Sequence, residues 1–280
     1  MRQHLDYPSG LDCVIMHVLA ESEYRITQQG IETRIAGEFG IARRIVRKRI
    51  RLLVEKGELE YSSHYGCSFI ELSFSRAVRI SKHVIIKPPE VKYIAIPGDV
   101  VVSLLAGVSF GTGKHPTTCL CVRAIDNIMT GQQFPEDGLG VDIGTGSGIL
   151  AIVAVALGLK HSQGTDLDTN ARYEAMENAK INGFGGRICV SDKNIDMFDC
   201  KFLLITANLR FPTIQSLCLS IYRITLPGAF VVISGIRNDE AAQVISFYTE
   251  NGFVCIANDS ERGWSCVVLR KLVNMSFRLQ

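Results

Sequence analysis

Three glycines and a carboxylate stand in a spacing that suits the binding of a nucleoside-containing ligand. In VDIGTGSGIL, residues 141–150, an apolar strand is followed by Gly144, Gly146 and Gly148 and then by an apolar helix. Glycine is needed where the backbone takes a positive φ or where a ligand must approach main-chain atoms. Asp166 follows Gly146 by twenty residues, where nucleoside-binding α/β folds have the carboxylate that holds a ribose. We therefore expect a cofactor-binding strand, turn and helix, with an ordinary packed turn as the alternative.

The spacing of the glycines separates two classes of cofactor. The dinucleotide motif has glycine at its first, third and sixth positions, and the sixth position counted from Gly144 is Ile149. The order Asp-x-Gly-x-Gly-x-Gly resembles instead the motif of Rossmann-type enzymes that use S-adenosylmethionine (SAM). This resemblance implies an α/β, Rossmann-like doubly wound sheet with SAM as cofactor. It also implies a set of cofactor-binding residues, namely Asp142, Gly144, Thr145, Gly146, Gly148 and Asp166.

Composition excludes several classes of protein. With 47% hydrophobic and 21% charged residues, the 280-residue chain is neither disordered nor fibrous and is long enough for two domains. The sequence has no run of eighteen apolar residues and no apolar signal core at its start, which predicts a soluble, cytoplasmic protein without a membrane partner. The nine cysteines contain no CxxC pair, so we expect buried thiols in a reducing compartment and no metal site.

The first eighty residues have a pattern of their own. Residues 10–22 carry apolar positions on one helical face, and IETRIAGEFG predicts a second short helix that ends at Gly40. In the third predicted helix, Val46, Ile50 and Leu53 recur at the spacing of a buried face. The pattern then changes to a period of two, which predicts a hairpin with SSHYG at its tip.

Three short helices, the third of them basic, and a hairpin resemble the winged helix-turn-helix family over residues 10 to about 75. We expect two domains, a winged helix-turn-helix-like domain in residues 1–80 and a SAM-dependent methyltransferase domain in residues 81–280. The resemblance implies that cations of the third helix contact the phosphates or bases of a nucleic acid. These cations are Arg43, Arg44, Arg47, Lys48 and Arg51. Winged helices also dock proteins, so protein and nucleic acid remain alternative partners of this domain.

The loop FGTGKHPTT, residues 110–118, is similar to FGTGTHPTT, which precedes the SAM domain in the PrmA family, the methyltransferases of protein eleven of the large ribosomal subunit. It is not a phosphate loop, because the first glycine and the final Ser or Thr of that motif are missing. The resemblance implies that the loop closes over SAM, with Phe110, Thr112 and Thr117 at the cofactor. We expect His115 to be a structural hydrogen-bonding residue and not a proton carrier.

Beyond the glycines, strands and helices alternate, which predicts a parallel sheet with an antiparallel pair at its C-terminal edge. We expect one helix from FPTIQSLCLSIYRITL and a strand from AFVVISG. Three further segments are similar to PrmA motifs in the same order: ANLRFPTI, ISGI and SERGWSCVVLRK. The resemblance implies that Asn208 is the catalytic residue, which orients the amine at the cofactor, and that Asp192 lies near the adenine. Both also fit ordinary turn residues at strand ends.

These features together predict a PrmA-like, SAM-dependent N-methyltransferase that acts on a lysine or N-terminal amine of a protein. Methyl transfer from a sulfonium needs alignment and desolvation. Arg210 and Phe211 replace small aliphatic residues of the PrmA pattern, and the N-terminal domain differs too, which leaves the acceptor open. Two alternatives remain: an RNA or DNA methyltransferase guided by the basic helix, and a transcriptional regulator that senses SAM.

Overall fold

The structure is a computed structural model that describes residues 10–22, 25–64, 66–105, 111, 113, 115–132, 134–135 and 137–273. The chain divides into two compact units. The first contains the described residues up to Arg76 together with Glu261–Gly263, and the second contains the rest. Each unit has its own core.

The first unit has three helices followed by a two-stranded antiparallel hairpin. Its elements are α1 (Gly10–Glu21), α2 (Gln28–Phe39), α3 (Arg43–Glu55), β1 (Leu59–His64) and β2 (Cys67–Leu72). The Thr27 side chain caps α2 by accepting a hydrogen bond from the Gly30 N–H at 3.1 Å, and α2 ends at Gly40 with φ 68°. The predicted helices, the glycine at the end of α2 and the hairpin are confirmed as elements.

The apolar face predicted for α3 is confirmed. Val46, Ile50 and Leu53 are fully buried, and they pack with apolar residues of α1 and α2 such as Ile15 and Ile35. Burial of one such side chain stabilises the fold by about 1.5–3 kcal/mol. The cations of α3 are therefore turned to the outer side of this unit.

The second unit is built around a seven-stranded sheet with the order β11-β12-β10-β9-β6-β7-β8. The elements along the chain are β3 (Val78–Arg79), β4 (Val84–Lys87), β5 (Val100–Ser103), α4 (Pro116–Gly131), β6 (Leu139–Ile143), α5 (Ile149–Ala156), β7 (His161–Thr165), α6 (Thr169–Ile181), β8 (Ile188–Ser191), β9 (Phe202–Asn208), α7 (Phe211–Ser216), α8 (Cys218–Ile224), β10 (Thr225–Arg237), α9 (Asn238–Glu250), β11 (Phe253–Glu261) and β12 (Trp264–Lys271). Strands β8, β7, β6, β9 and β10 are parallel, and β12 is antiparallel to β10. The predicted α/β doubly wound sheet with an antiparallel edge is confirmed.

Two predicted boundaries are wrong. The single helix expected from residue 211 onward is divided into α7 and α8 at Leu217. Strand β10 begins at Thr225, earlier than the segment AFVVISG, because Thr225 already pairs with Phe202 of β9. A register shift between Thr225 and Phe230 takes up the proline and glycine that lie between them. Because proline and glycine are typical turn residues, the sequence pattern predicted the start of β10 too late.

Sequence patterns did not predict the small sheet β3-β4-β5 or helix α4. Helix α4 begins at Pro116, a residue that is favourable in the first turn, and ten of its side chains are buried. None of the helices that the structure describes is both long and apolar enough to span a membrane.

Candidate active site

A cavity of about 790 Å³ opens at the carboxyl ends of the parallel strands of the second unit. Loops from neighbouring strands converge at this edge, which is where open α/β sheets bind ligands. Three carboxylates beside β7 and β8 form the acidic end, defined by Asp166, Asp168 and Asp192. Residues beside β9 and β10 form the amide end, defined by Asn208, Leu209, Arg210 and Trp264.

The glycine turn, residues 144–148, joins β6 to α5 in the middle of the cavity edge. Gly144 and Gly146 line the cavity and take φ values of 70° and 53°, which favour glycine. The Gly144 N–H donates to the Thr165 carbonyl at 2.8 Å, and the Gly146 N–H donates to Asp166 Oδ2 at 2.9 Å. These hydrogen bonds join the turn to the end of β7. Because glycine has no side chain, Gly144 and Gly146 line the cavity with their backbone atoms alone.

Asp142 and Thr145 lie under the glycine turn and do not line the cavity. Asp142 is 1% exposed, and its carboxylate accepts hydrogen bonds from Thr145 Oγ1 at 2.7 Å and Thr206 Oγ1 at 2.6 Å. Removal of this carboxylate from water raises the pKa of Asp142 to about 6, although the two hydroxyls oppose the shift. Through these hydrogen bonds, Asp142 supports the conformation of the glycine turn without lining the cavity.

Gly148, another predicted cofactor residue, also lies outside the cavity lining. It begins α5 with φ 82°, and a Cβ atom at this position would lie 3.0 Å from the Ala175 Cβ of α6. That distance is shorter than normal carbon contacts. Gly148 thus permits the close packing of α5 against α6.

The two carboxylates predicted for the nucleoside both line the cavity at its acidic end. Asp166 is half-buried, and it also accepts the Asp168 N–H on Oδ1 at 3.0 Å. A carboxylate has about four acceptor sites, so both oxygens of Asp166 can accept further hydrogen bonds from ligand hydroxyls. The Asp192 side chain is 76% exposed and lies 4.0 Å from Arg172. Among the described residues, no cluster of His, Cys, Asp and Glu is arranged to bind a metal ion.

Asn208 lies at the amide end, at the last position of β9. Its side-chain oxygen Oδ1 is buried and has no hydrogen-bond partner among the residues that the structure describes. An unsatisfied buried acceptor costs about 1–3 kcal/mol, and such groups are rare in folded proteins. Because Asn208 lines the cavity, this oxygen is suited to accept a hydrogen bond from a ligand N–H or O–H.

Gly235 is a site residue that was not predicted individually, although it belongs to the PrmA-like segment ISGI. It lines the cavity with φ 82°, and a Cβ atom there would lie 2.4 Å from the Leu209 carbonyl oxygen. The Leu209 N–H donates to the Ser234 carbonyl at 3.0 Å. The backbone around Gly235 therefore holds the turn that follows Asn208.

His115 and Thr117 also line the cavity, next to Trp264 of the amide end. His115 is the N-cap of α4, and its Nδ1 lies 2.8 Å from the Thr117 hydroxyl. Its ring packs edge-to-face on Trp264 with ring centres 5.0 Å apart. The expected structural role of His115 agrees with these contacts, and the residue also lines the cavity. Phe110 and Thr112 lie outside the described residues.

Two buried polar side chains that the sequence did not single out connect the glycine turn with the chain before α4. Asn178 of α6 donates from Nδ2 to the Ser147 carbonyl at 2.9 Å, and its Oδ1 accepts the Leu105 N–H at 2.9 Å. The Ser147 hydroxyl donates to the Gly111 carbonyl at 2.7 Å. Asn178 and Ser147 are 0% and 1% exposed. These contacts depend on tertiary structure and have no sequence motif.

Of the five α3 cations predicted to contact nucleic acid, which form the basic face of this helix, one is already paired. Arg47 binds both carboxylate oxygens of the buried Glu32, at 2.8 and 2.7 Å. The hydrogen bond from Arg47 holds the pKa of Glu32 below its ordinary value. The other four predicted cations are exposed and form no ion pair within the described part of the chain: Arg43, Arg44, Lys48 and Arg51.

Comparisons with known proteins match the second unit. Residues 74–272 match the family model described as "Ribosomal protein L11 methyltransferase (PrmA)". A ribosomal protein L11 methyltransferase of Citrifermentans bemidjiense is 33% identical over 199 residues, which cover 70% of this chain and 64% of that protein. The protein of that name from Desulfosudis oleivorans is 35% identical over 198 residues, with coverages of 69% and 64%.

A solved structure agrees with the sequence matches. The crystal structure of the ribosomal protein L11 methylase from Lactobacillus delbrueckii subsp. bulgaricus has a TM-score of 0.64 and 28% identity, and the alignment covers 71% of this chain and 100% of that chain. The chain spans about 64% of the length of the first two curated relatives that it matches. Most of the first unit lies outside the family match, which begins at residue 74.

Proposed function

The chain belongs to the PrmA family of methyltransferases, and on this premise we propose that it transfers a methyl group from SAM to an amine nitrogen of a protein. The acceptor is a lysine side chain or an N-terminal amine. Ribosomal protein L11, which the names of its relatives give as their substrate, is the first candidate. The N-terminal residues 1–80 recruit the substrate in this proposal.

The buried, unpartnered Oδ1 of Asn208 carries this proposal. An amide oxygen accepts a hydrogen bond from an amine N–H without the negative charge that would hold the amine as an ammonium ion. A lysine amine has a reference pKa of about 10.4 and must lose a proton before it can attack. Asn208 therefore suits a neutral amine acceptor better than a carboxylate would.

The residues at the acidic end fit the cofactor. In this proposal the free acceptor sites of Asp166 bind the ribose hydroxyls, and Asp192 lies near the adenine. The bare α-carbons of Gly144 and Gly146 allow the ligand close to the backbone. Asp142, Thr145 and Gly148 support the turn, and we propose Phe110, Thr112 and Thr117 as further contacts of the cofactor.

SAM supplies a sulfonium-bound methyl group that is already activated for in-line displacement. The chain contributes alignment: Asn208 Oδ1 accepts one N–H of the amine, which directs the nitrogen lone pair into the cavity. Gly235 and Ser234 fix the Leu209 backbone and so fix the direction of the Asn208 side chain. The Trp264 and His115 rings line the wall beside the amine and exclude water.

The test is methylation by the purified full chain. The protein is incubated with methyl-labelled SAM and either bacterial ribosomal protein L11 or a cell extract, and the products are divided between protease and nuclease treatment. We expect label that survives nuclease and is lost with protease, and mass spectrometry that locates it on a lysine or N-terminal amine. Label that only nuclease removes would overturn the protein assignment, and bound SAM without any label would favour the SAM-sensing regulator.

Two asparagine variants sharpen the test. Asn208→Ala removes the acceptor from the cavity, and we expect turnover to fall by about tenfold or more, the usual effect of losing one positioned polar group. Asn258→Ala is the matched control, because Asn258 is exposed on β11 and does not line the cavity. Equal turnover of the two variants would show that Asn208 takes no part in methyl transfer.

A second candidate function is favoured by the four exposed cations of α3 that form no ion pair with any residue the structure describes. We propose that the first unit is a winged helix-turn-helix domain whose α3 contacts nucleic acid, so that the acceptor is RNA or DNA. Removal of cations that contact phosphates lowers the salt dependence of binding by about one unit of slope for each contact. Arg47 would contribute little to such binding while it is paired with Glu32.

Salt-dependent binding of duplex DNA and RNA measures this candidate function. The fourfold variant R43Q/R44Q/K48Q/R51Q should lose most of the slope, whereas Glu32→Gln should increase it by about one unit, because it releases Arg47. Lys160→Gln is an exposed cation-loss control in the second unit. Binding that responds equally to the control and to the fourfold variant would exclude α3 as the contact.

We infer that the protein works in the cytoplasm. A ribosomal protein acceptor would be met there. All nine cysteines are free, and free thiols are typical of a reducing compartment. Fractionation of cells that express the tagged chain tests this inference.

A further inference from the structure

Arg210 lines the cavity two residues after Asn208. It is exposed, and its guanidinium has no ion pair or hydrogen bond with the residues that the structure describes. An arginine is always charged and offers a planar set of donors that fits a carboxylate or a phosphate.

The backbone of Arg210 is held firmly. Its carbonyl accepts the N–H groups of Thr213 at 3.0 Å and Ile214 at 3.1 Å at the start of α7. Ile214 is fully buried, and its carbonyl accepts the hydroxyl of the buried Tyr248 at 2.9 Å. The helix therefore keeps the Cα of Arg210 at a fixed distance from Asn208. Only the side chain of Arg210 can change its conformation to contact a ligand.

The charges of the cavity are divided between its two ends. The carboxylates of Asp166, Asp168 and Asp192 all belong to the acidic end, and Lys193 lies there too, over the Phe198 ring at 4.9 Å. Among the described residues that line the cavity, Arg210 is the cation at the amide end. A group bound beside Asn208 is thus next to one positive charge, away from the carboxylates that we assign to the nucleoside.

We propose that the methyl acceptor of this chain is a protein segment in which the reactive amine has a carboxylate next to it, and that Arg210 binds this carboxylate and so determines acceptor specificity. The inference rests on the proposed function, because it requires the amine to be bound at Asn208. The carboxylate is an acidic side chain beside the lysine or the α-carboxylate of a C-terminal lysine. Arg210 contacts the acceptor and takes no part in the bond-forming step.

A nucleic-acid phosphate is the less suitable partner for Arg210. A polyanion needs several cations along its path, whereas the rim at the amide end is of mixed charge. Arg237, over the Trp264 ring at 5.8 Å, faces Asp239 at 3.9 Å, and its backbone N–H is bound by the Glu240 carboxylate at 2.7 Å. A nucleic-acid strand would meet these two carboxylates, whereas a single acceptor carboxylate can bind Arg210 alone.

Peptide binding tests the inference separately from turnover. The full chain is saturated with S-adenosylhomocysteine, and fluorescein-labelled peptides are titrated by anisotropy. One pair differs only in Lys-Glu against Lys-Gln, and a second pair has a C-terminal lysine as free acid or amide. We expect the carboxylate member of one pair to bind about tenfold more tightly, as for a hydrogen bond to a charged group. The pair that shows the preference identifies the source of the carboxylate.

Variants connect the preference to Arg210. Arg210→Leu should abolish the preference and keep the affinity for S-adenosylhomocysteine, and Arg210→Glu should transfer the preference to a Lys-Lys peptide. Lys160→Leu, which removes an exposed cation directly before β7, should keep the wild-type preference. Equal binding of the members of both pairs by the wild type overturns the inference, as does an oligonucleotide that binds more tightly than every peptide and is lost in Arg210→Leu. Methylation of the same peptides is measured in parallel, so that failure of the proposed function is seen as binding without turnover.

Discussion

The α-carbon of Gly235 packs directly against the backbone of Leu209, so closely that a Cβ atom on Gly235 would lie 2.4 Å from the Leu209 carbonyl oxygen and 2.8 Å from its nitrogen. Leu209 directly follows Asn208, the residue that we assign to the acceptor amine. The geometry of the amide end therefore depends on the absence of a side chain on a neighbouring strand.

Gly235→Ala should reduce methyl transfer by about tenfold or more while SAM binding changes less, because the new methyl group displaces the turn that aligns Asn208. Initial rates and calorimetric SAM affinity measure the two effects. Gly228→Ala is the matched control: Gly228 is also in β10, with φ 78°, but its Cβ would meet only side-chain atoms, at 3.5 Å or more. Both alanine variants carry backbone strain of about 1–2 kcal/mol, because both positions have a positive φ. If the two variants lost activity equally, this strain and not the displaced turn would be the cause.

The buried carboxylate of Asp142 makes stability depend on pH. Its folded pKa, about 6, is above the ordinary value of 3.8, so the folded state binds the proton more tightly than the unfolded state. This contribution to stability is fully present below pH 3.8 and is lost as the pH rises through about 6. The shift corresponds to about 3 kcal/mol at 1.36 kcal/mol per unit.

Asp142→Asn is the variant that measures this contribution. Urea unfolding of both proteins between pH 4 and 7 should show the wild type losing stability relative to the variant as the pH rises. Thr206→Val removes one hydroxyl that bonds the charged carboxylate, at 2.6 Å, and should make the loss steeper. A constant difference between wild type and Asp142→Asn over this range would contradict the raised pKa.

The two carboxylates of the acidic end should differ in their effect on cofactor affinity. Asp166→Asn removes a charged acceptor that also holds the Gly146 N–H, so SAM affinity should fall by about ten- to a hundredfold. Asp192→Asn should change it several times less, since the Asp192 side chain is 76% exposed and well hydrated. Calorimetric titration with S-adenosylhomocysteine compares the affinities of the two variants. A larger loss of affinity for Asp192→Asn would contradict the assignment of Asp166 as the residue that binds the ribose.

Asn178→Ala should destabilise the second unit. It leaves the carbonyl of the buried Ser147 and the N–H of Leu105 without their side-chain partner, and the loss at the buried carbonyl costs about 1–3 kcal/mol. Asn251→Ala is the matched control, because Asn251 makes one hydrogen bond from its side chain, to the Phe247 carbonyl at 2.7 Å, at the end of α9. Urea unfolding should show the larger loss for Asn178→Ala. Equal losses would mean that the hydrogen bonds of Asn178, which connect α6 to the glycine turn, add nothing to the free energy of unfolding.

Local patterns were sufficient to predict much of this protein. The spacing of Val46, Ile50 and Leu53 predicted the buried face of α3, and the three glycines predicted the turn between β6 and α5. The apolar run KFLLITAN predicted the buried strand that ends at Asn208, which is β9. These predictions succeeded because periodicity and backbone conformation are short-range properties, which a few neighbouring residues determine.

Other roles arise only from contacts between distant segments. Gly148, like Gly144, has a positive φ, yet it packs on Ala175 of α6 and does not line the cavity. Arg47 belongs to the same basic face as Arg51, yet Glu32 of another helix binds it. Sequence spacing does not contain these distances, so it assigned one role to residues that packing separates.

By itself, the sequence determined the alternation of strands and helices from β6 onward, the glycine turn and the identity of the polar residues at the strand ends, since these follow from local periodicity and turn chemistry. Tertiary structure alone decided that Gly235 lies against Leu209, that Asn178 joins Leu105 to Ser147, and that Asn208 Oδ1 has no hydrogen-bond partner among the described residues. The physical reason is that burial and hydrogen-bond partners depend on which strands are neighbours in the sheet, and this order is not the order of the chain.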